Sequence, residues 1–139
     1  MERTGWNVRH LTEDVICDIN KRMIERYGGK PYELADRNEA NGASLLYILE
    51  ATQYPIFGQD LYPTLIEKAA ALGWTIIAEH VFHDGCKRTG MMAILEILKV
   101  NGVEVQWDVD EAKKIAKAVA EGKATYSDFL SWLERQCAH

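Results

Sequence analysis

The feature that most constrains this chain is a change of character at residue 90. From Met91 to Val100 nearly every position is apolar: Met91, Met92, Ala93, Ile94, Leu95, Ile97, Leu98 and Val100. A helix that is apolar all round belongs in an interior, so the run predicts a buried central helix. Asn101-Gly102 would stop it. Directly before it comes His80-Val81-Phe82-His83-Asp84-Gly85-Cys86-Lys87-Arg88-Thr89-Gly90, a polar cluster. The fold must therefore surround one helix while leaving its first turn in a polar setting.

The remaining segments supply the surrounding layer. Thr12 is a candidate N-cap, and Ile16, Ile19, Met23 and Tyr27 follow on one helical face until Gly28-Gly29 and Pro31. A polar stretch runs from Lys30 to Asn41, and Leu45, Leu46, Ile48 and Leu49 suggest a second, shorter helix ending near Ala51. The segment 52–59 is aromatic and β-branched, with Pro55 and Gly58 as punctuation, and reads as a short β-hairpin flap. Asp60 is a candidate cap for a third helix, with Pro63 in its first turn. Leu65, Ala69, Leu72 and Ile76 give that helix a core stripe, and His80 is the next step along it. Val103 to Trp107 is a short extended link. Asp108 with Glu111 and Thr125 with Asp128 read as capping boxes for two more helices. The expected architecture is all-α: one domain over residues 1–139, about six helices around the central one, plus the flap.

Composition narrows the classes of function. At 139 residues the chain is long enough for one substantial core. No window approaches the roughly 18 uninterrupted apolar residues of a membrane span, and residues 1–6 have no apolar run of the signal-peptide kind. A cytoplasmic location and no membrane partner are expected. The net charge of −5 lacks the basic excess of a nonspecific nucleic-acid binder, so direct DNA binding is not expected. Three cysteines, Cys17, Cys86 and Cys137, are odd in number and widely spaced, which is no disulfide framework.

The chemistry concentrates in the polar cluster. A helix N-terminus presents free N–H groups and a partial positive charge. Lys87 and Arg88 add two full charges where helices ordinarily favour acids. The combination reads as a phosphate site, against the plainer reading of two solvated cations. His80 is either a general base for a hydroxyl or a helix-end cap or core histidine. Asp84 is either a magnesium ligand bridging phosphates or simply the N-cap. Zinc ligation by His80, His83, Asp84 and Cys86 lacks a second ligand group at metal spacing. A P-loop is excluded by the missing G-x-x-x-x-G-K-[ST] spacing. A Cys86–His nucleophile pair has no amide-hydrolase context around it.

At this cluster the sequence resembles the Fic/Doc family, whose signature H-x-F-x-[D/E]-G-N-x-R is met by His80, Phe82, Asp84, Gly85 and Arg88. Arg26-Tyr27-Gly28-Gly29, the segment from Phe57 to Leu65 with Glu67-Lys68-Ala69-Ala70, and Ser127-Asp128-Phe129 with Trp132-Leu133 are similar to the death-on-curing branch. The resemblance implies His80 as catalytic base, Asp84 as holder of Mg2+, and Gly85, Cys86, Lys87 and Arg88 around the phosphates of ATP. It implies that the flap, with Tyr54, Ile56 and Phe57, docks an extended target segment by strand addition.

AMP-transferring members usually carry Gly at the position of Lys87 and a second Arg beyond Arg88, which this chain lacks. The death-on-curing branch carries Lys there. The resemblance therefore implies a kinase-like toxin that moves the γ-phosphate of ATP to a protein hydroxyl, a threonine of elongation factor Tu, and blocks translation. Its partner would be a small antitoxin with a disordered tail. AMP transfer is the alternative. Cys86 stands where both branches have Asn, and a thiol is a poor hydrogen-bond donor. A catalytically impaired binding module is therefore the third reading.

Overall fold

The structure is a computed structural model that describes residues 8–30 and 40–138, without the side chains of residues 40–43. The segment 1–6 and most of the polar stretch 30–41 lie outside the described residues. Among the described residues six helices follow one another: α1 Glu13–Tyr27, α2 Ala40–Gln53, α3 Leu65–Ala78, α4 Cys86–Val100, α5 Val109–Ala120 and α6 Tyr126–Cys137. The architecture is all-α, as expected. Among the described residues no helix is long and apolar enough to cross a membrane.

The start of α1 is as the sequence reads: the Thr12 hydroxyl accepts from the Val15 N–H at 3.2 Å. Ile16 and Ile19 are buried, but Tyr27 is exposed rather than part of the core face. Helix α2 runs to Gln53, so Thr52 and Gln53 belong to it and not to the flap. The flap itself is small. Ile56 and Gln59 exchange both backbone hydrogen bonds, at 2.8 and 3.0 Å, around a Phe57-Gly58 turn. Phe57 at its tip is fully exposed and left-handed, with φ 50°.

Helix α3 begins later than expected. Thr64, not Asp60, is the N-cap, its hydroxyl accepting from the Glu67 N–H at 3.1 Å. Pro63 precedes the cap. Asp60 is drawn instead to Lys68, whose ammonium is 3.4 Å away and also donates to the Thr52 carbonyl at 2.9 Å. Lys68 is 1% exposed. A buried ammonium needs such partners, because leaving it unpaired is far costlier than leaving Asp60 without a helix to cap.

Helix α4 is central, but α3 shares the centre. Met92 and Val100 of α4 reach solvent, so its apolar surface is not closed on every side. The two helices meet at Gly73 and Gly90. A methyl group on Gly90 would sit 3.0 Å from the Gly73 carbonyl oxygen and 2.6 Å from Ile77 Cγ1, and one on Gly73 would collide with Ile94. These glycines let two backbones approach closely. Ile76, Ile77, Ile94, Ile97 and Leu98, all almost inaccessible, fill the space around them. Each such side chain contributes about 1.5–3 kcal/mol of burial. Helix α6 closes one side, with Phe129 and Leu133 buried against the core and Trp132 packed at 5.2 Å on Trp107.

Candidate phosphate site at the start of the central helix

The site is built where α3 ends and α4 begins. Continued helix would carry His80 onto the core stripe, but α3 stops at Ala78. The His80 N–H donates to the Ile77 carbonyl at 3.3 Å and the Val81 N–H to the Ile76 carbonyl at 3.2 Å. This bond pair is a Schellman stop, whose reversing residue is usually glycine. Here His80 takes that place, with φ 48°. A side chain in the left-handed region costs about 1–2 kcal/mol. The reversal tucks Val81 and Phe82 into the core and leaves His80 exposed, contrary to the core-facing placement read from the periodicity.

The next residues turn the chain into α4. Asp84 is not the N-cap; Gly85 is, at φ 74° and ψ 14°, and no side chain caps this helix. The first intrahelical bond here runs from the Thr89 N–H to the Gly85 carbonyl at 2.8 Å. The amides of Cys86, Lys87 and Arg88 therefore stand ahead of it, in the part of a helix that favours anions. The first turn holds no acid, and Lys87 and Arg88 are exposed there. Asp84 is exposed, and its Oδ2 accepts from the Lys30 N–H at 2.8 Å. The backbone comes close: a methyl group on Gly29 would lie 2.9 Å from Asp84 Cβ.

Cys86 turns away from the open end. Its thiol donates to the Phe82 carbonyl, Sγ to O 3.1 Å, and burial pushes its pKa up. It stays a neutral thiol at pH 7, which argues against a thiolate nucleophile. Among the described residues no three His, Cys, Asp or Glu side chains gather as a metal-binding group. A single exposed carboxylate does suit magnesium, which is typically held by one or two carboxylates, phosphate oxygens and water.

Two α1 residues complete the site: Tyr27, which the sequence places on the core face, and Asn20, which it does not single out. The Tyr27 ring lies under Arg88, with Cζ 4.2 Å from the ring centroid. Asn20 is wholly buried. Its Nδ2 donates to the Asp84 carbonyl at 2.8 Å and to the Thr89 hydroxyl at 3.1 Å. Among the described residues its Oδ1 has no partner, a deficit of about 1–3 kcal/mol. The available signal was its position: Ile16, Asn20 and Ile24 step by four, so Asn20 is one polar residue in an apolar row.

Tyr54, Ile56 and Phe57 of the flap lie elsewhere. Lys68, which holds both ends of the flap, is ten residues before Ala78, about 15 Å along α3. Between the two ends runs an open cleft of about 430 Å³ lined by Ser44, Tyr47, Ile48, Tyr62, Trp74, Thr75 and Glu79. Glu79 adjoins His80, and Tyr62 follows the flap.

Residues 10–98 match the family model described as the Fic/DOC family. The chain is 40% identical over 70 residues to a protein named Toxin Doc from Mycolicibacterium smegmatis, covering 49% of this chain and 54% of that one. The chain thus spans about half the length of that relative. It is 27% identical over 128 residues to Protein kinase doc of Escherichia phage P1, covering 92% and 95% of the two chains. The match over 10–98 takes in well over half of the sequence, from α1 through all but the last two residues of α4, and the chain belongs to the Fic/DOC family.

Proposed function

We propose that this protein is a Doc-like toxin of a toxin–antitoxin system that transfers the γ-phosphate of ATP to a protein hydroxyl. The observation that carries the reading is the start of α4, where uncapped amides, Lys87 and Arg88 face an end of the molecule that also presents His80. The names Toxin Doc and Protein kinase doc of the two relatives support the same activity. A threonine of elongation factor Tu is the proposed acceptor, and a small antitoxin with a disordered tail the proposed partner.

In this mechanism His80 takes the proton of the acceptor hydroxyl. The oxygen bonds to the γ-phosphorus as the bond to the β–γ bridging oxygen breaks, and ADP leaves with that electron pair. The amides of Cys86, Lys87 and Arg88, with the two cations, hold the phosphate oxygens. Asp84 would hold Mg2+, which neutralises charge on the phosphates when bound. The acceptor chain lies in the cleft between Glu79 and Tyr62, and the flap, with Tyr54 and Phe57 exposed and Ile56 half-buried against the core, docks its far part.

One observation favours a second reading. The Cys86 thiol is committed to the Phe82 carbonyl and offers the phosphates no donor, which fits weakened catalysis in a protein retained as a binding module. One experiment decides. The protein is incubated with Mg-ATP and elongation factor Tu, with label in either the α- or the γ-phosphate. Label from the γ-position alone is expected on the acceptor, lost with His80→Ala. Transfer of α-label would establish AMP transfer instead, and no transfer by a folded protein would favour the binding module.

A further inference from the structure

We propose that Asn20 is a positioning residue for the phosphate site, acting through the backbone of Asp84 and Gly85. The inference rests on the nucleotide reading of that site and adds to it a residue from α1 that touches no ligand. Asn20 lies 64 residues from Asp84 and 69 from Thr89 in sequence, yet one amide group bonds both. The two partners flank the bend: the Asp84 carbonyl just before the left-handed Gly85, and the Thr89 hydroxyl one turn into α4. Nδ2 would also stand 3.2 Å from a methyl group on Gly85. The Asn20 side chain therefore spans the inside of the turn whose outside presents the amides of Cys86, Lys87 and Arg88.

The amide orientation is fixed by chemistry, because only N–H donates to the Asp84 carbonyl. The same choice leaves Oδ1 buried without a partner among the described residues. A leucine of similar size would pack in this apolar row without that deficit. Retaining a half-satisfied amide in the core serves the loop rather than the core, as expected where function overrides local stability. A backbone group just past the end of α1 acts on the same loop, the Lys30 N–H on Asp84 Oδ2. Asn20 sets where Asp84 and the first-turn amides stand, and those groups with the two cations do the binding.

The test compares the full chain with Asn20→Leu and Thr89→Val. Calorimetry with Mg-ATP is expected to show about 10-fold weaker binding for Asn20→Leu, the value of one good hydrogen bond. Thr89→Val should lose less, and Thr89→Ser should bind as the wild type does. Hydrogen exchange gives a readout that needs no ligand. The Thr89 amide of Asn20→Leu should exchange at least 10-fold faster, while the Ile94 and Ile97 amides are unchanged. Wild-type affinity and wild-type Thr89 exchange in Asn20→Leu would overturn the inference. Should that variant not fold, wild-type affinity and exchange in Thr89→Val would overturn it equally. If the wild type does not bind Mg-ATP, the nucleotide reading falls, and Thr89 exchange still decides the role of Asn20.

Discussion

Helix α6 begins at Thr125, whose hydroxyl accepts from the Asp128 N–H at 3.1 Å while the Asp128 carboxylate accepts from the Thr125 N–H at 2.9 Å. Those bonds hold the Asp128 carboxyl below its usual range. Helix α4 begins at a left-handed Gly85, without a side-chain cap or a first-turn acid, and with Lys87 and Arg88 in its opening turn. Thr64 and Asp108 cap α3 and α5 with their own side chains, as Thr125 does. A helix start whose cap side chain already accepts from a first-turn amide, beside first-turn acids, offers less to an anion. One that leaves its amides open and adds cations gives up local stability and gains a site for phosphate.

The sharpest way to break this contrast is to remove one group from each start. Arg88→Ala should weaken Mg-ATP binding by about 30-fold, since a charge-assisted phosphate contact is worth about 2 kcal/mol. Thr125→Ala should leave binding unchanged and lower the unfolding free energy by about 1 kcal/mol. Calorimetry and denaturant titration on both variants check this pair. Equal affinity in the two variants would erase the distinction between the helix starts.

A smaller change sharpens it from the other direction. Cys86→Asn should supply the missing donor at the α4 start and tighten Mg-ATP binding about 10-fold, provided the amide leaves the Phe82 carbonyl for the phosphates. Unchanged binding would mean that residue 86 keeps facing the loop.

The smallest effect concerns His80. Because it occupies the reversing position of a Schellman stop, His80→Gly should raise stability by about 0.5 kcal/mol, the relief of left-handed strain less the added freedom of glycine when unfolded. The same variant should abolish phosphate transfer. A destabilised His80→Gly protein would show that the imidazole is held by contacts stronger than the strain.

These residues also show how far the sequence could be read. The helices and the caps at Thr12, Asp108 and Thr125 were legible because they depend on residues within one turn of each other. The α4 start was legible because a buried helix opening on two cations breaks a local rule. His80 was misplaced because periodicity assumes that the helix continues, and only the tertiary pull on Val81 and Phe82 ends it two residues earlier. Asp60 lost its capping role to a buried lysine, a competition between burial and capping that spacing does not reveal. Asn20 and Tyr27 are bound to the site across some 60 residues of chain, and a local pattern carries no such pairing.

If the start of α4 is the phosphate site, its open amides hold phosphate while the capped helix starts do not. Amide chemical shifts of the labelled protein, titrated with Mg-ATP, test it directly. The largest shifts are expected at Gly85, Cys86, Lys87 and Arg88, with little change at Leu65, Val109 and Tyr126. Shifts centred on any of the capped starts, or no saturable change at residues 85–88, would contradict it.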